Sequence, residues 1–181
     1  MRIVGGQFRG RVLFSPEGKV TRPTADRVRE ALFNILTGGD DLDSIAVLDV
    51  FAGTGALGFE ALSRGAAHVS FIETDVTALQ VIGENVRKLG VRDRVALHRL
   101  DATKPTKATK PFDLIMFDPP YRTGLAGTAL LALDKMGWIG ANPTITIEVA
   151  SAEPFKPPSP AFEITDERKY GAARVVFLGR A

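Results

Sequence analysis

Apolar positions along this chain fall into two alternating periods. Beyond residue 44, short apolar runs alternate with stretches whose apolar residues recur every three or four positions, the pattern of a largely parallel sheet with crossover helices. The runs predict strands at Ala46 to Phe51, His68 to Ile72, Val95 to Leu100, Phe112 to Phe117, Thr144 to Val149, Phe162 to Thr165 and Arg174 to Leu178. The helical stretches fall at about Ala56 to Ser63, Val76 to Leu89 with Gly90 as the cap, and Leu125 to Met136. Asp166 to Ala173 carries no helical period and contains Gly171, so the last two strands are expected to form an antiparallel hairpin closing the sheet. Pro154 to Pro160 is expected to be a surface loop. Ahead of this core, Arg2 to Val4 and Arg11 to Phe14 flank Gly5, Gly6 and Gly10 and are expected to pair as a small β-hairpin. Thr24 to Leu36 predicts a helix whose apolar stripe is Val28, Leu32, Ile35 and Leu36. There are no internal repeats.

Composition narrows the picture. At 181 residues and 45% hydrophobic content the chain can bury one sizeable core, so a single domain is expected, with residues 1–37 as an extension packed on a catalytic core of 45–181. No run of 18 apolar residues offers a membrane span, and Met1-Arg-Ile-Val-Gly-Gly6 lacks the apolar stretch of a signal peptide, so the expected location is cytoplasmic. The absence of cysteine excludes disulfides, thiol catalysis and thiolate metal sites. His68 and His98 each lie in or beside a strand and read as edge or surface residues; no metal is expected. Net charge is only +2, but the first 30 residues hold seven basic against three acidic side chains, +4, leaving −2 for the rest. Such a segment suits a polyanion such as nucleic acid, with Arg2, Arg9, Arg11 and Arg22 as candidate phosphate contacts. A solvated basic face without a partner is the plainer alternative.

Chemistry concentrates where strands end. The first core strand leads into Asp49-Val-Phe51-Ala52-Gly53-Thr-Gly55-Ala-Leu-Gly58, a full Gly-x-Gly-x-x-Gly between a strand and a helix. In a dinucleotide enzyme those glycines admit a pyrophosphate; in an S-adenosylmethionine enzyme the same turn accommodates the methionine and ribose. Asp49 separates the two, because a carboxylate there repels a pyrophosphate but suits an ammonium or sulfonium. Glu73 stands at the end of the second strand, in position for the ribose hydroxyls. Asp101, with the Ala102 backbone, follows the third strand, in position for adenine. Asp118-Pro119-Pro120-Tyr121 follows the fourth. Two prolines forbid both helix and further sheet pairing, so Asp118 and a freed carbonyl can accept hydrogen bonds from an exocyclic amine while Tyr121 stacks on its ring. Asp49, Glu73, Asp101 and Asp118 would then share one rim of one sheet.

The chain resembles the RsmD family, bacterial methyltransferases that modify a guanine N2 amine in 16S ribosomal RNA. The resemblance spans nearly the whole chain and rests on Met1-Arg-Ile-Val-Gly-Gly-Gln-Phe-Arg-Gly-Arg11, Arg22-Pro-Thr-Ala-Asp-Arg-Val-Arg-Glu-Ala-Leu-Phe-Asn34, Phe51-Ala-Gly-Thr-Gly-Ala-Leu-Gly58, Glu60-Ala-Leu-Ser-Arg-Gly65 and Asp118-Pro-Pro-Tyr121. The N-terminal blocks are the specific ones, since many amino-group methyltransferases share the glycine turn and the tetrad. The family implies a seven-stranded Rossmann-like methyltransferase fold with S-adenosyl-L-methionine as donor. It implies 16S rRNA within the small subunit or its assembly intermediate as partner, and a monomer is the default expectation. The resemblance further places Thr24, Arg27 and Glu30 near the donor's methionine end. Gly171-Ala-Ala-Arg174 departs from the family pattern after the glycine. Three alternatives stay open on the residues: an adenine-N6 DNA or RNA methyltransferase, a dinucleotide oxidoreductase, and an RNA-binding assembly factor without turnover.

Overall fold

β-Branched and aromatic runs bounded by Gly, Asp and Pro form the central strands, and their near-continuous apolar character reflects burial on both faces. The computed structural model describes residues 1–15, 23–38 and 42–181, with the side chains of Pro23 and Thr24 outside the described set. The order is α1 (Pro23–Thr37), β1 (Ala46–Val50), α2 (Ala56–Ser63), β2 (His68–Glu73), α3 (Val76–Leu89), a 3₁₀ turn (Arg92–Arg94) and β3 (Val95–Arg99), then β4 (Phe112–Phe117), α4 (Leu125–Lys135), β5 (Ile139–Ala150), β6 (Phe162–Tyr170) and β7 (Ala173–Arg180). The strands form one seven-stranded sheet in the order β3-β2-β1-β4-β5-β7-β6. Strands β1 to β5 run parallel, and β7 pairs antiparallel with both β5 and β6.

The two-residue period of the strands divides the core. Leu48, Val50, Ile72, Ile115 and Phe117 face α4 with its Ala129, Leu130 and Leu133. Their neighbours Val47, Val69, Phe71, Leu114 and Met116 face the other way, onto Phe59 and Leu62 of α2, Ile82 and Val86 of α3, and Ile3, Leu13 and Phe33 from the N-terminal segment. Each such fully buried side chain contributes about 1.5–3 kcal/mol by leaving water. Asp75 caps α3 by accepting the Ala78 N–H at 2.8 Å, and Gly90 ends it in the left-handed conformation.

Three expectations are corrected in extent by the structure. The N-terminal segments do pair, but over less than the expected length: one antiparallel bridge joins Arg2 and Val12, with the Ile3 N–H donating to the Arg11 carbonyl at 3.0 Å and the Leu13 N–H to the Met1 carbonyl at 2.8 Å. Between these residues the N–H groups of Val4, Gln7 and Phe8 turn instead to Glu60 and Ser63 of α2, which interrupts any longer ladder. β5 begins at Ile139 rather than Thr144, because the chain passes Gly140 to Pro143 through a register shift opposite Phe112 and Leu114 without leaving the sheet. β6 runs on to Tyr170 rather than stopping at Thr165, its polar residues tolerated on an edge. The closing antiparallel hairpin of β6 and β7 is present as expected, with β7 lying between β5 and β6.

Candidate active site

Beyond the carboxyl ends of β3, β2, β1 and β4 lies a cavity of about 690 Å³. Asp49, Phe51, Ala52, Gly53, Glu73, Asp101, Ala102, Asp118, Pro119 and Pro120 all line it. The strand ends bring these residues together in the place where parallel sheets bind ligands.

The turn after β1 is built by left-handed backbone. Gly53 and Gly55 take φ of 54° and 78°, and Phe51 takes 61°, a conformation that strains a residue carrying a Cβ and marks a constrained site. Gly58 permits close packing of α2, since a Cβ there would stand 2.2 Å from the Phe71 ring. Asp49 is buried, and its Oδ2 accepts the Gly58 N–H at 2.9 Å near the start of α2. Burial holds its carboxyl well above the ordinary range, with the charges of Asp118 and Glu73 adding to the rise. Glu73 is clamped: its Oε2 accepts the Gly53 N–H at 2.8 Å, and its Oε1 accepts the N–H groups of Thr74 and Asp75 at 2.7 and 2.9 Å. Asp101 accepts both the hydroxyl and the N–H of Thr103, at 2.7 and 2.9 Å, which hold its carboxyl below its ordinary value.

Asp118 follows β4, with its N–H donated to the Val50 carbonyl at 3.2 Å. Water reaches its side chain at the cavity mouth, yet the surrounding protein and the nearby Glu148 charge push its pKa up to about 7. Tyr121 does not line the large cavity. It lines a second one of about 200 Å³ on the far side of Pro119 and Pro120, which border both. Its hydroxyl donates to Glu148 Oε1 at 2.5 Å, and burial together with that bond raises its pKa.

The remaining candidates separate. Arg27 and Glu30 do not reach the large cavity; with Arg2, Arg9 and Asp26 they line another concavity of about 680 Å³ beside the N-terminal bridge. The two concavities approach each other where Met1 of the N-terminal one receives the Thr54 hydroxyl at 3.4 Å. Gly55 shapes the turn without lining the cavity, and Arg11 lies over the Phe8 ring with its guanidinium 5.5 Å from the centroid. Thr24 and Arg22 lie outside the described side chains. Sequence reasoning missed Thr54 and Leu57, which stand at variable positions of the glycine turn, Thr74, Leu100, Thr103 and Leu125, which carry no motif, and Glu148, which sits in an ordinary apolar alternation. His68 and His98 flank the Ser70 hydroxyl at 3.4 and 3.3 Å, away from the rim, and His98 meets Trp138 edge-on. Among the described residues, no group of three or more His, Cys, Asp or Glu side chains is arranged to hold a metal.

The donor set decides which nucleotide fits. The large cavity presents four carboxylates and, among the described residues lining it, no Lys or Arg. A pyrophosphate would meet these carboxylates with no lining cation among the described residues to offset them, whereas a ligand with ammonium and sulfonium charges, a ribose diol and an adenine amine matches the carboxylates in type. The volume lies within the usual range for a bound small molecule.

Sheet order, glycine turn, acidic rim and Asp-Pro-Pro-Tyr tetrad together define an S-adenosylmethionine-dependent methyltransferase of the Rossmann-like class. Residues 1–179 match the model of the family described as Conserved hypothetical protein 95, and the chain belongs to that family. The ribosomal RNA small subunit methyltransferase D of Escherichia coli (strain K12) is 38% identical over 148 residues, covering 82% of this chain and 74% of that protein. The protein of the same name in Haemophilus influenzae is 36% identical over 162 residues, covering 87% and 83%. A solved structure described as putative methyltransferase yhhF from Escherichia coli matches with a TM-score of 0.85 and 33% identity, over 99% of this chain and 97% of that one.

Proposed function

We propose that this protein transfers a methyl group from S-adenosylmethionine to the exocyclic N2 amine of a guanine in the 16S rRNA of the small ribosomal subunit or its assembly intermediate. The observation that carries the reading is a carboxylate-rimmed cavity without a lining cation that shares the Pro119-Pro120 wall with a smaller cavity holding Tyr121. The printed names of the relatives supply the ribosomal RNA.

Asp49 and the turn Phe51-Ala52-Gly53-Thr-Gly55 would hold the methionine part, Glu73 the ribose, and Asp101 with the Ala102 backbone the adenine. When bound, the donor supplies an electrophilic methyl on a sulfonium. The acceptor amine is a poor nucleophile because its lone pair is delocalised into the ring. Asp118 and the Pro119 carbonyl accept its hydrogens, favouring a pyramidal nitrogen whose lone pair is free to attack. Tyr121 stacks on the extruded base, worth about 1–3 kcal/mol, which offsets the few kcal/mol needed to unstack it. Orientation carries much of the rate, since well-aligned reactants are worth about 7–11 kcal/mol. After transfer the amine is acidic and its proton leaves to water, so Asp118 need only be an acceptor, in its carboxylate form.

Arg2, Arg9 and Arg27 around the N-terminal concavity would meet RNA phosphates, with Arg11 and Arg22 extending the basic segment. The protein would act as a monomer in the cytoplasm, where subunits are assembled. The test is transfer of labelled methyl to small subunits lacking the modification, followed by identification of the product nucleoside. Label in N2-methylguanosine is expected; label in N6-methyladenosine, or none, would overturn the reading.

A further inference from the structure

Next to Asp118 stands a second carboxylate that belongs to no motif. In the parallel pairing of β4 with β5, Phe117 lies opposite Ile147, so Glu148 comes level with Asp118 on the neighbouring strand. Adjacent strands are about 4.8 Å apart, close enough for the Glu148 charge to act on Asp118 across the Pro119-Pro120 wall that borders both cavities. Glu148 lines the smaller cavity with Pro119, Pro120 and Tyr121, and it is half-buried. Its Oε1 accepts the Tyr121 hydroxyl. A carboxylate offers roughly four lone-pair sites, so one such bond leaves it acceptor capacity toward the cavity.

Support of Tyr121 does not account for the charge. A neutral glutamine would accept the same hydroxyl without opposing Asp118, whereas Glu148 raises the cost of ionising it. Two carboxylates kept side by side against their repulsion call for a ligand edge with adjacent donors. Guanine has such an edge: its ring N1–H sits next to its N2 amine. Adenine instead sets a bare N1 lone pair beside its amine.

We propose that Glu148 accepts the N1–H of the target guanine while Asp118 holds the N2 amine, so that the carboxylate pair selects guanine over bases with a bare N1. This rests on the guanine reading above and names the residue that enforces it. A base with a bare N1 turns a lone pair toward an anionic oxygen and leaves the acceptor capacity of Glu148 not used by Tyr121 desolvated and unpaired. Sites built around a substrate N–H reject analogues lacking it for this reason.

The experiment compares guanine with 2-aminopurine, which keeps the N2 amine but carries a bare N1. Each is placed at the target position by RNA ligation and the RNA reconstituted into small subunits. Single-turnover methyl transfer and donor affinity are measured for the wild type, Glu148→Gln and Glu148→Ala. The wild type should prefer guanine by on the order of 100-fold. Glu148→Gln, whose amide can donate to a bare N1, should shrink that preference to about 10-fold or less while donor affinity stays within about twofold. A preference unchanged in both variants overturns the role of Glu148, whatever happens to the absolute rate. Transfer by the wild type to neither base would overturn the guanine reading itself, which separates the two failures.

Discussion

Along the donor rim, Asp49, Glu73 and Asp101 take their hydrogen bonds chiefly from backbone N–H groups of the turns that follow β1, β2 and β3. The N-terminal segment is fastened the other way, by side chains of the core reaching its backbone. Glu60, fully buried, accepts the Val4 N–H at 2.9 Å and pairs with Arg64 and Arg29 at 2.9 and 3.5 Å. Arg29 in turn donates to the Arg2 carbonyl at 2.7 Å, and Asn85 grips both the N–H and the carbonyl of Phe14. The contrast is instructive. Rim geometry is a property of the fold and resists single substitutions, whereas placement of the basic segment hangs on a few side chains.

Glu60→Ala should test that contrast most severely. Removing one partner of a buried ion pair typically costs about 3–5 kcal/mol, because the remaining charges lose their counterpart. Denaturant unfolding should register the loss, and amide exchange should speed up at residues 2–13 more than in β1 to β4. Equal loosening of both regions would erase the distinction. Asp118→Ala probes the rim itself. It should lower single-turnover methyl transfer by about 100- to 1000-fold, the usual effect of deleting one positioned hydrogen-bonding group, while donor titration is unchanged. Full activity would remove Asp118 from the chemistry. Arg9→Ala should act on the other region alone, reducing the slope of log affinity for RNA against log salt by about 0.7–0.9 with donor binding intact.

The smallest effect should come from pH. Folded Asp118 holds its proton up to about 7, above the ordinary carboxylate range. The stability carried by that proton is therefore complete below the unfolded carboxylate pKa and is lost as pH rises through about 7. Methyl transfer needs the carboxylate and should rise over the same window, so kcat/KM and thermal midpoint should move in opposite directions. Asp118→Asn should flatten the midpoint's share of that trend. Water at the mouth keeps the stability part modest.

Alternating apolar runs made the sheet legible because parallel strands bury both faces, and the Gly53 and Pro119 turns marked where they stop. The same logic placed Asp49, Glu73, Asp101 and Asp118 at strand ends, and in the structure they surround one cavity. What escaped was set by pairing rather than by composition. Gly140 to Pro143 carries turn residues, yet β4 holds that stretch in the sheet through a register shift. Glu148 carries no signal of its own between Ile147 and Val149; only the alignment of β5 with β4 brings it to Tyr121. Arg27 and Glu30 line a separate concavity, which the sequence did not show because a helix face cannot be assigned to a cavity before its docking is known.

Pro119 and Pro120 form a wall common to both cavities, so the spacing between the two chambers does not hang on a flexible side chain. Under the proposed reading, two rigid rings fix the reach from reagent to target, so the smaller chamber can be re-cut for a different amine by substitution at Glu148 while the larger one keeps its donor.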